Sequence, residues 1–310
     1  MVLLQQLIDG LSLGAMYALI AVGYTVVYGI VQLINFAHGE IFMLGGFGAV
    51  AVWLLSPGRP VALWIFPLML IGGIAVAVAV ALLMERFAYR PLRNAPRLAP
   101  FITAIGVSIV LQEAVRLFYD RIPGFPSAKA AVVFPQLDLV SGSAIPLGPG
   151  LSIQRGSVFT LLALVLCTVL LYLFVNRSRL GRAMQAASQD PDTARLMGIN
   201  VDRIIMLAFG VGAALAAVAG LAYGLRYTQV QFHMGFLAGL KAFTAAVLGG
   251  IGNIYGAVVG GLVLGVAEAL ATALPFSGSA WKDVWAFVLL ILVLVFRPQG
   301  LLGARVVDRA

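Results

Sequence analysis

The chain has 310 residues with a formal net charge of +8, yet only 10% of them are charged and 62% are hydrophobic; mean hydropathy is +1.03. A soluble domain carries about 25% charged residues, so this chain cannot cover a water-facing surface, and most of its outer face must meet lipid. Nucleic acid is excluded as the reason for the positive charge, because the basic residues sit in short gaps between apolar runs, and the single cysteine, Cys167, excludes an intrachain disulfide or a multi-cysteine metal site.

A helix needs about 20 apolar residues to cross the hydrocarbon. On that measure the spans fall near 7–33, 38–55, 61–84, 98–118, 156–175, 203–225, 254–274 and 283–297, with a shorter apolar stretch at 238–250 that is either a ninth span or a re-entrant helix. The fold class expected is all-α: one polytopic transmembrane helix bundle, residues 1–310, of 8–9 membrane segments. No Lys or Arg precedes Arg59, so the first run lacks the basic start of a cleaved signal peptide and is expected to be a retained span.

Between the first two spans, Asn35-Phe36-Ala37-His38-Gly39-Glu40 and then Ile41-Phe42-Met43-Leu44-Gly45-Gly46 interrupt the apolar pattern. Polar groups at membrane depth are costly and face a cavity, a partner or the interface. Two readings are open: a gate or pathway lining, or an interfacial turn that caps the second span. In the fourth span Glu113 and Arg116 share a helical face. Residues 119–155 hold Pro123, Pro126, Pro135, Pro146 and Pro149 and read as an irregular external loop that has room for a short lid helix.

The segment 176–202 is moderately polar and suits short helices on either side of Pro191, with Asp190 as the N-cap of the second. Beyond it, Gly212, Ala216, Gly220 and Gly224 recur every four residues, and Gly256 with Gly260, and Gly261 with Gly265, repeat the pattern. Small faces let helix backbones approach closely. Packing within the subunit is the simplest use of them, a pathway or a subunit seam the alternative. Leu248-Gly249-Gly250-Ile251-Gly252-Asn253 echoes Leu44-Gly45-Gly46-Phe47-Gly48, as paired broken helices of an internal repeat would. Lys241 and Glu268 lie at comparable depths in neighbouring segments, where pairing would cancel two costly charges. Structural pairing is favoured there over substrate contact.

Basic residues orient the bundle. Arg86, Arg90, Arg93, Arg97, Arg177, Arg179, Arg182, Arg195, Arg203, Arg297, Arg305 and Arg309 fall in one set of gaps; Arg59, Arg116, Arg121, Lys129, Arg155, Arg226 and Lys282 fall in the other. The richer side is expected to be cytoplasmic, with the N-terminus outside, the C-terminus inside and an odd number of crossings. None of the three lysines, Lys129, Lys241 and Lys282, stands in a phosphate-binding loop, and HExxH and GxSxG are absent. The H-x-E spacing at His38–Glu40 lacks the paired cysteines of a zinc deaminase.

The stretch GRAMQAASQDPDTARLMGINVDRI, followed by FGVGAALAAVAG, resembles the cytoplasmic loop and next span of branched-chain amino acid ABC permeases, the LivH-type subunit. GFLAGLKAFTAAVLGGIGNIYGAVVGGLVLGVAEAL, the early LINFAHGEIFMLGG and the ending RPQGLLG fit the same family, and the resemblance covers essentially the whole chain. It implies the inner-membrane subunit of an ATP-driven importer of leucine, isoleucine and valine. The partners implied are a second, related permease, two cytoplasmic ATPase subunits that use the ATP, and a periplasmic binding protein; the subunit itself is no enzyme and holds no cofactor. It also implies that 176–202 couples to the ATPase, through Gly181, Arg182, Gln185, Ala186, Asp190, Asp192, Ala194, Gly198 and Asn200. Candidate pathway or gate groups are Gln32, Asn35, His38, Glu40, Thr103, Gln112, Thr244 and Asn253. Permeases for urea or short amides share much of the pattern, and a self-sufficient ion-coupled transporter or channel is the rival of a different class.

Overall fold

Where the apolar runs break decides the architecture. The computed structural model describes residues 2–303 except 34, 60, 94, 97, 138–139, 142–143, 149, 273–280 and 298. Arg97, Arg305, Arg309 and Pro149, and the end of the expected 254–274 span, therefore lie outside the described residues. The helices are α1 (Val2–Val31), α2 (His38–Leu55), α3 (Ile65–Met84), α4 (Leu98–Phe118), α5 (Arg155–Arg177), α6 (Arg179–Gln189), α7 (Pro191–Leu196), α8 (Val201–Tyr227), α9 (Met234–Gly249), α10 (Ile254–Ala271) and α11 (Lys282–Phe296). Seven of these, α1–α5, α8 and α10, are long and apolar enough to cross a membrane. The chain is thus a multi-pass helical membrane bundle. The expected full span at 283–297 is a helix of 15 residues and that at 238–250 one of 16, about 22–24 Å at 1.5 Å per residue, short of the roughly 30 Å hydrocarbon core.

Burial sorts the helices. In α1, α2 and α8, 83%, 67% and 72% of the most apolar window is buried, against 28%, 22% and 22% in α3, α4 and α5. The first three form the core. The outer three turn aliphatic side chains outward, as with Leu162, Val165, Leu166, Val169 and Leu173 along one stripe of α5. With lipid as the solvent that exposure carries no penalty, while every helix satisfies its own backbone.

Between helices with no apolar contrast to lipid, close backbone approach supplies the cohesion. Gly10 and Gly14 of α1 lie against α10 so closely that a Cβ on Gly14 would stand 2.7 Å from the Gly261 carbonyl oxygen and 2.8 Å from Leu262 Cα, and one on Gly10 2.8 Å from Val266 Cα. The two helices are therefore antiparallel. On α8, Gly212 abuts Gly23, Gly220 abuts Phe42 and Gly46, and Gly224 seats the ring of Phe134. The four-residue stripe is spent on packing within the chain. The echo between 44–48 and 248–253 is not structural: the first lies inside helix α2, the second forms the turn from α9 to α10, with Gly250 and Gly252 at φ +106° and +94°. Residues 299–303 pack onto that turn, Leu301 and Leu302 donating to the Leu248 and Gly249 carbonyls at 2.8 and 2.9 Å.

The described residues of 119–155 contain no lid helix. They form a 3-10 turn (Tyr119–Arg121), strand β1 (Val132–Val133), and a hairpin of β2 (Ile145–Gly148) with β3 (Leu151–Ile153); β1 pairs antiparallel with β4 (Gln229–Val230). Gln5 holds the hairpin to α1, exchanging two hydrogen bonds of 2.9 Å with the backbone of Ser152. This loop thus lies at the end of the bundle where α1 starts, opposite the end where α6, α7 and residues 299–303 lie.

The α1–α10 seam has no room to give. Gly14→Val should lower stability by about 1–3 kcal/mol through overpacking, read as the melting temperature of the purified protein, whereas Gly106→Ala, where a Cβ meets nothing within 4 Å, should leave it unchanged or raised.

Candidate translocation seam and coupling segment

The interruption at 32–37 does more than turn the chain. Gln32 takes a left-handed φ of +52°, and the chain folds back so that His38, the first residue of α2, lies beside Gly23 of α1 and Gly212 of α8. Gly23 precedes the end of α1 by eight residues, so α2 begins about 12 Å inside the bundle. Phe36 wedges the turn there, edge-on to Phe101 of α4 at 5.2 Å and tilted on Phe243 of α9 at 5.5 Å between ring centroids. Helix α9 also begins inside: the Met234 methyl reaches Gly46 halfway along α2, and Gly235 and Gly239 touch Gly39. Two helix N-termini thus meet in the interior of the bundle.

Three polar side chains hang from this joint, all at most 2% exposed. Asn35 Oδ1 accepts a 2.7 Å hydrogen bond from the Tyr89 hydroxyl. Tyr89 closes the π-helical turn Glu85–Tyr89 and packs on Phe209 of α8 at 5.5 Å. The His38 ring stands edge-on to Tyr24 at 4.6 Å. Glu40 Oε1 accepts from the Ser108 hydroxyl at 2.9 Å and from Gln112 Nε2 at 2.7 Å, both on α4, while Oε2 lies over Gly235, where any side chain would collide with it. Asn35 Nδ2, His38 Nε2 and Glu40 Oε2 find no hydrogen-bond partner among the described residues. Buried polar atoms left open in this way are costly and are suited to meeting a polar solute.

The other pathway candidates scatter. Gln32 is exposed, Thr103 half-buried on α4, and Thr244 is buried with its hydroxyl donating to the Leu240 carbonyl of its own helix at 2.9 Å. Asn253 stands apart as the N-cap of α10, accepting from Tyr255 and Gly256 N–H and donating to the Leu302 carbonyl at 2.8 Å. Sequence reasoning missed Ser108 and Tyr89, which carry ordinary helical patterns and gain meaning only from what they face.

Lys241 and Glu268 meet at 2.8 Å, side chains 7% and 1% exposed. A second carboxylate, Asp283 of α11, lies 2.6 Å from Lys241 on its other side, and the Tyr17 hydroxyl accepts from Lys241 at 3.2 Å and donates to Glu268 at 3.0 Å. Glu113 and Arg116 pair at 2.6 Å on a half-exposed face of α4.

At the far end, α6 and α7 flank Pro191. Ser178 caps α6, accepting from Gly181 N–H at 2.8 Å, and Asp190 caps α7, accepting from Asp192 and Thr193 N–H at 2.9 and 3.1 Å. The Thr193 hydroxyl and these N–H groups hold the Asp190 carboxyl below the usual aspartate range. Gly181, Met184 and Ala187 face inward, and Gly181 presses on the carbonyls of Phe174 and Val175. Ala194 is 3% exposed. Gly181 and Ala194, expected to allow a partner's approach, are therefore spent on the chain's own packing. Arg182, Gln185, Asp190, Asp192, Gly198 and Asn200 are exposed and Ala186 half-buried. Leu196 and Met197, which the sequence did not single out, are 87% and 78% exposed. Behind them Arg93 clamps buried Glu85 to Asp202 of α8, the latter at 2.5 Å.

Residues 6–294 match the family of the branched-chain amino acid transport system permease component. The chain belongs to this family. This permease is 48% identical to the high-affinity branched-chain amino acid transport system permease protein BraD of Pseudomonas aeruginosa, covering 99% of this chain and 97% of that protein. It is 43% identical to the LivH permease protein of Salmonella typhimurium and 42% to that of Escherichia coli K12, each with 99% and 97% covered.

Two outcomes follow from the geometry. Lys241→Met should cost on the order of 3–5 kcal/mol by leaving Glu268 buried and unpaired, while Lys241→Met with Glu268→Leu should recover most of that, both read by thermal unfolding. Because the folded-state pKa of Asp190 is depressed, its contribution to α7 is present above the ordinary aspartate range and lost as pH falls through the lowered value; amide exchange at 192–196 should quicken on that acid side and quicken at neutral pH in Asp190→Ala.

Proposed function

We propose that this chain is the membrane-embedded permease subunit of an ATP-driven importer that carries leucine, isoleucine and valine handed over by a periplasmic binding protein. The observation that carries the reading is the family match from residue 6 to 294. The seam at Asn35, His38 and Glu40 supplies the polar lining a zwitterion needs inside an apolar bundle, with Ser108 and Gln112 as its α4 wall.

The bacterial inner membrane holds the subunit, with the end bearing α6 and α7 in the cytoplasm, a reading that the excess of arginine in its gaps supports. The whole chain is one transmembrane domain, its 119–155 loop external. Counting α9 and α11 with the seven long helices gives nine segments, an odd number, which supports chain ends on opposite sides. Hydrolysis of ATP falls to two separate ATPase subunits, and a second, related permease completes the pathway.

The α6–α7 segment receives the ATPase's stroke. Leu196 and Met197 are the contact, since an apolar pair this exposed at the edge of a charged segment gains most by being covered. Arg182, Gln185, Asp192 and Asn200 set its orientation. The Glu85–Arg93–Asp202 clamp links α3 and α8 behind it, so displacement of α7 moves two helices together.

Reconstituted with its partners in proteoliposomes, the complex should hydrolyse ATP faster when the binding protein carries leucine, isoleucine or valine, and not with urea. Uptake that persists without ATP and follows an ion gradient would overturn the reading. Leu196→Asp with Met197→Asp should reduce uptake by roughly tenfold or more, the loss of an apolar anchor at an interface, while the permease pair still assembles.

A further inference from the structure

The Lys241 cluster does not stand in solid packing. It borders a cavity of about 260 Å³ in the half of the bundle nearer the start of α1, between α1, the end of α8, the first turns of α9 and the start of α11. Leu13, Met16 and Leu237 give it an apolar wall, and Lys241, Asp283 and Tyr227 a polar one. That volume lies below the roughly 300–1,000 Å³ of pockets for drug-sized ligands and suits a single free amino acid.

Lys241 is shared between two carboxylates, Glu268 behind the wall and Asp283 in it, and a second ammonium, the exposed Lys282, also borders the cavity. The carboxylates also differ in how they are held. Glu268 is 1% exposed and fixed by the Tyr17 hydroxyl at 3.0 Å, whereas the Asp283 side chain is 40% exposed at the first turn of α11. Asp283 Oδ1 and Glu268 Oε1, 2.6 and 2.8 Å from Lys241, both lack an aligned hydrogen-bond donor, so exposure and the Tyr17 hydroxyl on Glu268 Oε2 are what separate the two. Glu268 is the permanent counter-ion; Asp283 is the exchangeable one.

We infer that this cavity is the entry subsite for a zwitterionic aliphatic amino acid, whose α-carboxylate replaces Asp283 on Lys241 while its α-ammonium pairs with the released Asp283 carboxylate. The exchange turns one ion pair into two and leaves the net charge of the site unchanged. No charge is stranded in the low-dielectric bundle, before or after binding. The aliphatic side chain rests on Leu13, Met16 and Leu237. Because Glu268 and Asp283 already pair with Lys241, the subsite holds its ligand weakly and lets it go inward. The inference rests on the proposed amino-acid import and locates its first step within the membrane subunit.

The test uses the full complex in nanodiscs with its binding protein and a leucine analogue bearing a photoreactive diazirine in the side chain. Labelling is expected on peptides spanning Leu13–Tyr17 and Met234–Lys241. Excess leucine should abolish it; 4-methylpentanoate, which lacks the ammonium, and isopentylamine, which lacks the carboxylate, should not. Asp283→Asn and the cavity-filling Leu237→Trp should each lower labelling and the rate of uptake by about tenfold, with Asp283→Glu restoring both. A wild-type complex that imports leucine yet labels neither peptide overturns this subsite and leaves the proposed function standing. So do wild-type uptake rates in both Asp283→Asn and Leu237→Trp. A wild-type complex that imports none of the three amino acids overturns both.

Discussion

A carboxylate with no exposed surface, in a bundle made to sit in lipid, is the constraint around which this chain is arranged. Glu40 is 0% exposed, and a buried charge survives only where opposite charge or directed donors replace water. Here both donors come from one helix, and two others contribute only their dipoles. Ser108 and Gln112 reach across from α4, and the interior starts of α2 and α9 bring the positive ends of two helix dipoles to the same place. The break at 32–37 and the deep start of α9 are what this demands, since uninterrupted spans would carry both N-termini to the membrane surface.

Small residues make that arrangement affordable in space. Helices whose ends lie inside the bundle need neighbours that close around them, and Gly23 and Gly212 do so around the His38 ring, as Gly235 does beneath the Glu40 carboxylate. The same device repeats along α1 and α10 at Gly10, Gly14, Gly261 and Gly265, whose close neighbours are backbone and alanine atoms rather than polar side chains. Glycine in this protein therefore serves two separate ends, cohesion between lipid-facing helices and room for polar groups that the lipid could not solvate.

Much of this was legible in the sequence because lipid makes polar residues conspicuous. Lys241 and Glu268 could be paired on cost alone, and Asp190 before Pro191 announced its helix start. Asp283 escaped because it lies at the very beginning of α11, beside a polar flank, where a carboxylate needs no special account. Gly181 and Ala194 suggest a partner contact in the sequence because small residues look the same whether they admit another protein or their own chain; only burial separates the two. Asn253 reads as pathway lining from its type and place in the sequence, but its amide is occupied by a helix start and by Leu302. The seven long spans follow from apolar run length, whereas the depth at which α2 and α9 begin depends on tertiary contacts that no single run encodes.

The contact of Gly39 with Gly235 and Gly239 has a mechanical consequence. Interlocked side chains act as a ratchet, releasing only when several rotamers change together, and such packing favours a few discrete positions. Bare main chain against bare main chain has no teeth. At this joint only contacts outside the glycine patch, such as Met234 on Gly46 and Phe243 on Phe36, resist a shift of α9 along α2, which makes the crossing of the two interrupted helices the natural bearing of the molecule.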